Sequence, residues 1–294
     1  DVGGPAHVAG LAALPDRDAV LTAGWRLSRG EPIEPGGNCS WVAPGTDPDC
    51  REVVLKVVWQ HTEARHEAEG LAALGGQGAV EVYAFEHLAP AGPGAGPGGD
   101  TTAMLLERCR PGAELRGYPE AEQHVVVTDM FPVGLGCRAA VRPPVPATVG
   151  HGDEWVLQAE ARLAADPGRL DAGLACEGLA LFRELPRTGP PDVLLFTDLH
   201  AGNVLSAQRR PWLLVDPKPY VGDPHYDVLQ HLLNCNGSLH ADPIGLLTEV
   251  ADLAGLDAGR VRQWLFARCV QESLGDGPPW PALDVVLHQL GGPQ

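Results

Sequence analysis

From Val193 to Asn234 the order of apolar runs and oxygen-bearing side chains narrows the possible folds more than any other part of the chain. An apolar run, Val193–Phe196, leads into an irregular loop, Thr197–Asn203, and a short strand, Val204-Leu205. A turn at Gln208–Pro211 sends the chain back along Trp212–Val215 to Asp216-Pro217-Lys218. Asp198 and Asn203 stand five apart on the loop, and Asp216 lies thirteen residues beyond Asn203. A hairpin of this kind is expected to bring Asn203 and Asp216 side by side as two hard oxygen ligands. Mg²⁺ is commonly held by one or two such groups together with substrate phosphates. Asp198, at the start of the loop, would face a substrate hydroxyl and accept its proton. Asp and Asn also favour turns and caps. As an ordered trio behind apolar strands, however, they read as chemistry rather than punctuation.

The basic residues sharpen the pattern. Of 21, only Lys56 and Lys218 are lysine and the other 19 are arginine, while Ala, Gly and Pro abound and Ile and Asn are scarce. This composition suggests a GC-rich genome in which Lys survives only where Arg will not serve, since the two are not interchangeable at a phosphate or metal site. Lys56 ends the run V-V-L-K. Downstream, Ala64, Glu67, Ala68, Leu71 and Leu74 share one face of a helix expected over 62–74, which Gly75-Gly76 would stop.

Over 294 residues the chain has room for one large or two smaller domains with a real core. A net charge of −17 repels nucleic acid and anionic membrane and attracts cationic small molecules, besides keeping the protein soluble. No run approaches a membrane span, and Asp1–Pro5 does not read as a signal peptide. Seven scattered Cys, none spaced C-x-x-C, argue against a disulfide framework or zinc knuckle and for a reducing cytosol.

Strands are expected at Trp25–Leu27, Ser40–Val42, Val53–Val58, Val80–Phe85 and Thr102–Leu106, with turns through Pro35–Asn38 and Pro44–Asp49 and a flexible Gly/Pro excursion at 89–99. Residues 119–190 read as mainly helical around a Pro-rich loop near 143–146, and helices alternate with Pro/Gly breaks beyond 224. A β-rich third before an α-rich remainder gives two lobes, 1–108 and 109–294, in the α+β class.

The pattern D-x-x-x-x-N followed by Asp after a strand is similar to the catalytic loop and metal-binding Asp of the protein-kinase-like fold. Asp198–Leu205 (D-L-H-A-G-N-V-L) and Trp212–Asp227 (W-L-L-V-D-P-K-P-Y-V-G-D-P-H-Y-D) more closely resemble the aminoglycoside phosphotransferases, in particular the streptomycin 6-kinase and hydroxyurea kinase group. The resemblance runs from about Leu11 to about Asn236. It implies ATP and Mg²⁺ as cofactors and an ATP-binding first lobe in which Lys56 pairs with the α- and β-phosphates. A helix Glu would hold that Lys; Glu63, Glu67 and Glu69 compete, and Glu67 alone sits on the apolar face. Pro35–Ser40 would cover the phosphates, with Ser40 donating a hydrogen bond. The adenine would bond the Glu107 carbonyl and the Cys109 N–H. Asp223 reads as an N-cap with Pro224 at N1. Asp227 would hold the backbone of the catalytic loop, and Lys218 would reach a phosphate, a substrate or a surface acid. One departure stands out: Phe196 occupies the position, two before the catalytic Asp, where the family usually has His.

Only eight positions separate Asp216 from Pro224, too few for the activation segment of a protein kinase. The expected acceptor is therefore a small molecule, with Asp153, Glu154, Glu177, Glu272 and Asp276 as candidate acids and Trp155 and Trp280 as candidate walls. The readings are a kinase of an aminoglycoside, a kinase of another small hydroxyl compound (a sugar, an amino alcohol, hydroxyurea), or a catalytically silent nucleotide-binding relative.

Overall fold

The run E-V-V-L-K-V-V-W, rich in β-branched residues, sets the centre of the first sheet. In the computed structural model, which describes residues 22, 24–33, 39–59, 64–88, 101–131, 146–275 and 283–291, this run is strand β3 (Glu52–Trp59). It is joined by β1 (Ser28–Arg29), β2 (Ser40–Thr46), β4 (Val82–Leu88) and β5 (Thr101–Glu107) in an antiparallel sheet of order β1-β2-β3-β5-β4 among the described residues. Strand alternation separates two faces. Val53, Leu55, Val57 and Trp59 pack with Leu27, Ala103 and Leu105 on one. Lys56, flanked by Val42 and Met104 in register, points to the other.

The chain divides into two compact units, Asp1–Ala113 with Leu205–Lys218, and Glu114–Val204 with Pro219–Gln294. The return of 205–218 to the first unit has a hydrogen-bonding cause. Strands β7 (Val204–Ser206) and β8 (Trp212–Leu214) form a hairpin. Leu214 N–H donates to Gly78 O and Val80 N–H to Leu214 O, while Gly112 N–H donates to Ser206 O. Helix α1 (Glu67–Leu74) buries Glu67, Ala68, Leu71 and Leu74 and ends at Gly75, whose φ of 55° is the left-handed cap that glycine adopts without strain.

Four details differ from the sequence reading. Pro44-Gly45-Thr46 continues β2 and the turn starts at Asp47, because Asp47 accepts the N–H groups of Asp49 and Arg51 and closes a tighter turn. Pro44 is tolerated because only the two-residue β1 lies on its other side. Trp25-Arg26 is a turn before β1, α1 begins at Glu67 after a turn at Ala64–His66, and β4 begins at Val82 with a register shift before Ala84.

The second unit is helical around a two-stranded ladder of β6 (Val193–Leu195) and β9 (Tyr220–Gly222). Its helices are α2 (Glu120–Asp129), α3 (Thr148–Ala165), α4 (Ala172–Glu184), α5 (Leu229–Asn234), α6 (Asn236–Ala241), α7 (Pro243–Ala254), α8 (Ala258–Ser273) and α9 (Leu283–Gly291). Asp171, Asp242 and Asp257 cap α4, α7 and α8 by accepting backbone N–H groups. Helices α4 and α8 approach closely at Gly178, where an added Cβ would sit 2.5 Å from Val270 Cγ2. Among the described residues no helix is long and apolar enough to cross a membrane.

Asp223 caps a 3-10 turn at Pro224–Tyr226 and ties it to α8. Its buried carboxylate accepts from His225 Nδ1 (2.7 Å), Arg260 Nε (2.6 Å) and Trp264 Nε1 (2.7 Å). Burial raises its pKa, but the bonds from His225, Trp264 and Arg260 outweigh that and hold it below 3.8. Its contribution to stability is therefore intact above the ordinary carboxylate value and is lost as pH falls through the folded-state pKa. Asp223→Ala should cost about 3–5 kcal/mol in urea denaturation, because it strands a mostly buried guanidinium. A loss under about 1 kcal/mol would show that Arg260 and Trp264 find other partners.

Candidate active site

In the first unit the strand pattern turns the Lys56 side chain away from the apolar cluster and toward α1. Its Nζ donates to Glu67 Oε1 and to Asp216 Oδ1, each at 2.7 Å. Lys56 and Glu67 are buried, whereas Asp216 keeps 42% of its side chain exposed. Burial alone would discharge the ammonium, but Asp216 and Glu67 hold the Lys56 pKa above its ordinary value. Burial pushes the Glu67 carboxyl up to about 7 against the pull of Lys56. Of the competing acids, Glu69 pairs instead with His87 (3.0 Å), and Glu63 lies outside the described residues. Asp216 follows β8 with φ 54°, a left-handed backbone that an aspartate seldom adopts. Lys218 also acts on the Glu67 carboxyl.

Ser40 opens β2 opposite Val58, while Pro35–Asn38 lie outside the described residues. Glu107 ends β5, and its carboxylate is engaged by Arg209 Nε and Nη2 and by Glu81 N–H. Arg209 also donates to Gly76 O and Ala79 O, so one guanidinium locks the tip of the β7–β8 hairpin onto the first unit. The sequence reading missed this clamp; an Arg in a hairpin turn carries no local signal of it. Cys109 is half-buried, and burial pushes its thiol up to about 11.

In the second unit the loop after β6 is held from below. Asp227 is buried, and its Oδ1 accepts Phe196 N–H (2.9 Å) and Thr197 N–H (2.6 Å). Burial pushes Asp227 up to about 7, with the two backbone donors pulling against it. Thr197 takes φ 44°, a strained conformation that these bonds help fix. The Phe196 ring is buried. Asp198 comes next, partly exposed. Asn203 Nδ2 donates to its carbonyl (2.9 Å) and its Oδ2 (3.2 Å). His200 Nδ1 accepts Gly202 N–H (3.1 Å), so its proton sits on Nε2, 3.7 Å from Asp198 Oδ1.

The structure thus groups Lys56, Glu67 and Asp216 in one unit and Asp198, Asn203 and Asp227 in the other. Among the acceptor candidates, Asp153 is paired with Arg187 and Glu272 with Arg268, each at 2.7 Å. Trp155 lines a small apolar pocket with Phe182, Thr197, Tyr220, Tyr226 and Trp264. Asp276 and Trp280 lie outside the described residues.

Comparison with known proteins identifies the family. The family model for aminoglycoside/hydroxyurea antibiotic resistance kinases matches residues 25–274. A hydroxyurea phosphotransferase of Kitasatospora aureofaciens is 34% identical over 92% of this chain and 76% of its own length. A streptomycin 6-kinase of Streptomyces glaucescens is 31% identical over 90% of this chain and 84% of its own. Aminoglycoside phosphotransferase APH(4)-Ia, in ternary complex with AMP-PNP and hygromycin B, superposes with a TM-score of 0.60 at 15% identity, over 94% of this chain and 99% of that one. An amicoumacin kinase bound to AMP-PNP and Ca²⁺ gives 0.61 at 14% identity, over 95% and 93%. The chain belongs to the aminoglycoside/hydroxyurea antibiotic resistance kinases, and it is a small-molecule phosphotransferase with the protein-kinase-like fold.

Proposed function

We propose that this kinase moves the γ-phosphate of ATP to a hydroxyl of a cationic small molecule, an aminoglycoside of the streptomycin type, in the cytoplasm. The observation that carries the reading is the buried Lys56 ammonium held between Glu67 and Asp216. A charge fixed there suits the α- and β-phosphates of a nucleotide. Ser40 and the backbone of Glu107 and Cys109 complete the proposed nucleotide contacts. The net charge of −17 supports a cationic acceptor and disfavours nucleic acid or anionic membrane as a partner.

The donor chemistry fits Mg²⁺, a hard ion that takes oxygen ligands. Asp216 offers a partly exposed carboxylate. Asn203, anchored through Nδ2 on Asp198, keeps Oδ1 as an acceptor. Those two would hold the metal, which when bound offsets charge on the phosphates. Asp198 would align the acceptor hydroxyl and take its proton late, because the phosphoryl-transfer transition state is loose and needs little early deprotonation. Asn203 sets the orientation of Asp198, and Asp227 holds the amides of the two residues before it.

A second reading, a neutral hydroxyl acceptor such as hydroxyurea, draws on two observations. The hydroxyurea phosphotransferase is the more similar of the two relatives compared, and Asp153 and Glu272 are already neutralised by arginines. The family and the ion-paired Lys56 weigh against a silent relative.

Radiolabelled ATP offered with aminoglycosides, sugars, amino alcohols and hydroxyurea decides among these readings. Label transfer to streptomycin-type compounds is expected. Transfer only to neutral acceptors would favour the second reading, and no transfer to any would contradict both. On the working acceptor, Asp198→Asn should lower kcat by about 10²–10⁴-fold with little change in KM for ATP. Lys56→Met should instead act on the use of ATP. Wild-type kcat in the Asp198 variant, or an unchanged kcat/KM for ATP in the Lys56 variant, would remove the role assigned here.

A further inference from the structure

Three side chains that phosphoryl transfer leaves unused meet inside the second unit. His124 on α2, His231 on α5 and Cys235 at the C-terminal cap of α5 are all buried. His124 Nδ1 lies 2.8 Å from His231 Nε2, and Cys235 Sγ lies 3.9 Å from the same Nε2. The three ligand atoms are all within 4.8 Å of one another. One turn back on α2, Glu120 places Oε1 3.7 Å from His124 Nε2. His231 and Cys235, spaced i, i+4, meet His124 at one point, while Glu120, spaced i, i+4 from His124, stands at the outer nitrogen of that ring.

A proton between the rings satisfies one contact only. Each neutral imidazole carries a single N–H, so one hydrogen bond can join His124 to His231, and the sulfur is then left facing a nitrogen already engaged. A metal ion bridges all three atoms. Zinc accepts this donor set, with Zn–N bonds of about 2.0–2.1 Å and a Zn–S bond of about 2.3 Å. A tetrahedron with those bonds sets N···N at about 3.3 Å and N···S at about 3.6 Å, so on binding the rings would part by about half an ångström and Cys235 Sγ, within 4.8 Å of His124 Nδ1, would close in on both nitrogens.

We propose that His124 Nδ1, His231 Nε2 and Cys235 Sγ form a zinc site, with Glu120 fixing His124 from behind and water as the fourth ligand. Glu120 on the outer nitrogen of His124 is the carboxylate–histidine–metal arrangement that orients a ligating ring. On binding, the Cys235 thiol releases its proton to solvent and the thiolate bonds to the metal. The ion would staple α2 to α5, the helix that starts just after the loop-holding Asp227.

The test uses the full chain, stripped with a chelator and titrated with Zn²⁺ or Co²⁺. Expected are one metal per chain by elemental analysis, a near-ultraviolet thiolate-to-cobalt band, and a melting temperature about 5 °C higher at a hundredfold excess of Zn²⁺ over its Kd. Cys235→Ser should abolish the band. Glu120→Gln, at a side chain 39% exposed, should keep the fold and the band but weaken Co²⁺ binding by about 10–100-fold. Absence of the band in the unsubstituted chain overturns the site, as does its survival in Cys235→Ser. If Cys235→Ser fails to fold, unchanged Co²⁺ affinity in Glu120→Gln overturns it.

Discussion

A lysine side chain with almost no access to water, shared by two carboxylates, is the constraint around which the first unit is arranged. Transferring an ammonium out of water is costly unless opposite charge and hydrogen bonds replace its hydration. Glu67 supplies one replacement from a helix and Asp216 the other from the end of a hairpin 160 residues away in sequence. Each of three elements is therefore fixed by one cation: β3 turns Lys56 to the helix face, α1 begins at the residue that receives it, and β8 ends just before Asp216. Arg209 completes the arrangement by fastening the hairpin tip to Gly76, Ala79 and Glu107.

In the second unit, buried carboxylates hold the architecture and a more exposed one is left for chemistry. Asp223 and Asp227, four residues apart, are both buried. Asp223 gathers His225, Arg260 and Trp264, while Asp227 takes only backbone amides from the loop that carries Asp198. That difference in donors explains their opposite pKa directions: Asp223 accepts side-chain bonds from His225, Trp264 and Arg260 and stays low, whereas Asp227 has amides alone and burial carries it up. Asp198 is placed by Asn203 and flanked by His200 without being sealed from solvent.

Much of this was legible wherever chemistry and periodicity coincide. The V-V-L-K strand, the choice of Glu67 among three acids, the stop at Gly75 and the D-L-H-A-G-N loop all rest on local patterns that tertiary contacts reinforce. Turn residues were less informative. Pro44 and Gly45 look like a turn, yet they sit in β2 because Asp47 closes a tighter turn three residues later. The partners set by folding alone were not legible. Nothing local ties Arg209 to Glu107 or His124 to His231, and only the folded chain brings such distant pairs together.

Asp216 is proposed to play a dual role, partner of Lys56 and ligand of Mg²⁺. Calorimetric titration of ATP into the protein and into Asp216→Asn, each with and without Mg²⁺, isolates that role. The expected result is that Asp216→Asn binds metal-free ATP at least as well as the unsubstituted chain, since Lys56 is released to the phosphates and stays paired with Glu67, while the gain in affinity on adding Mg²⁺ collapses. A full Mg²⁺-dependent gain in Asp216→Asn would contradict the assignment.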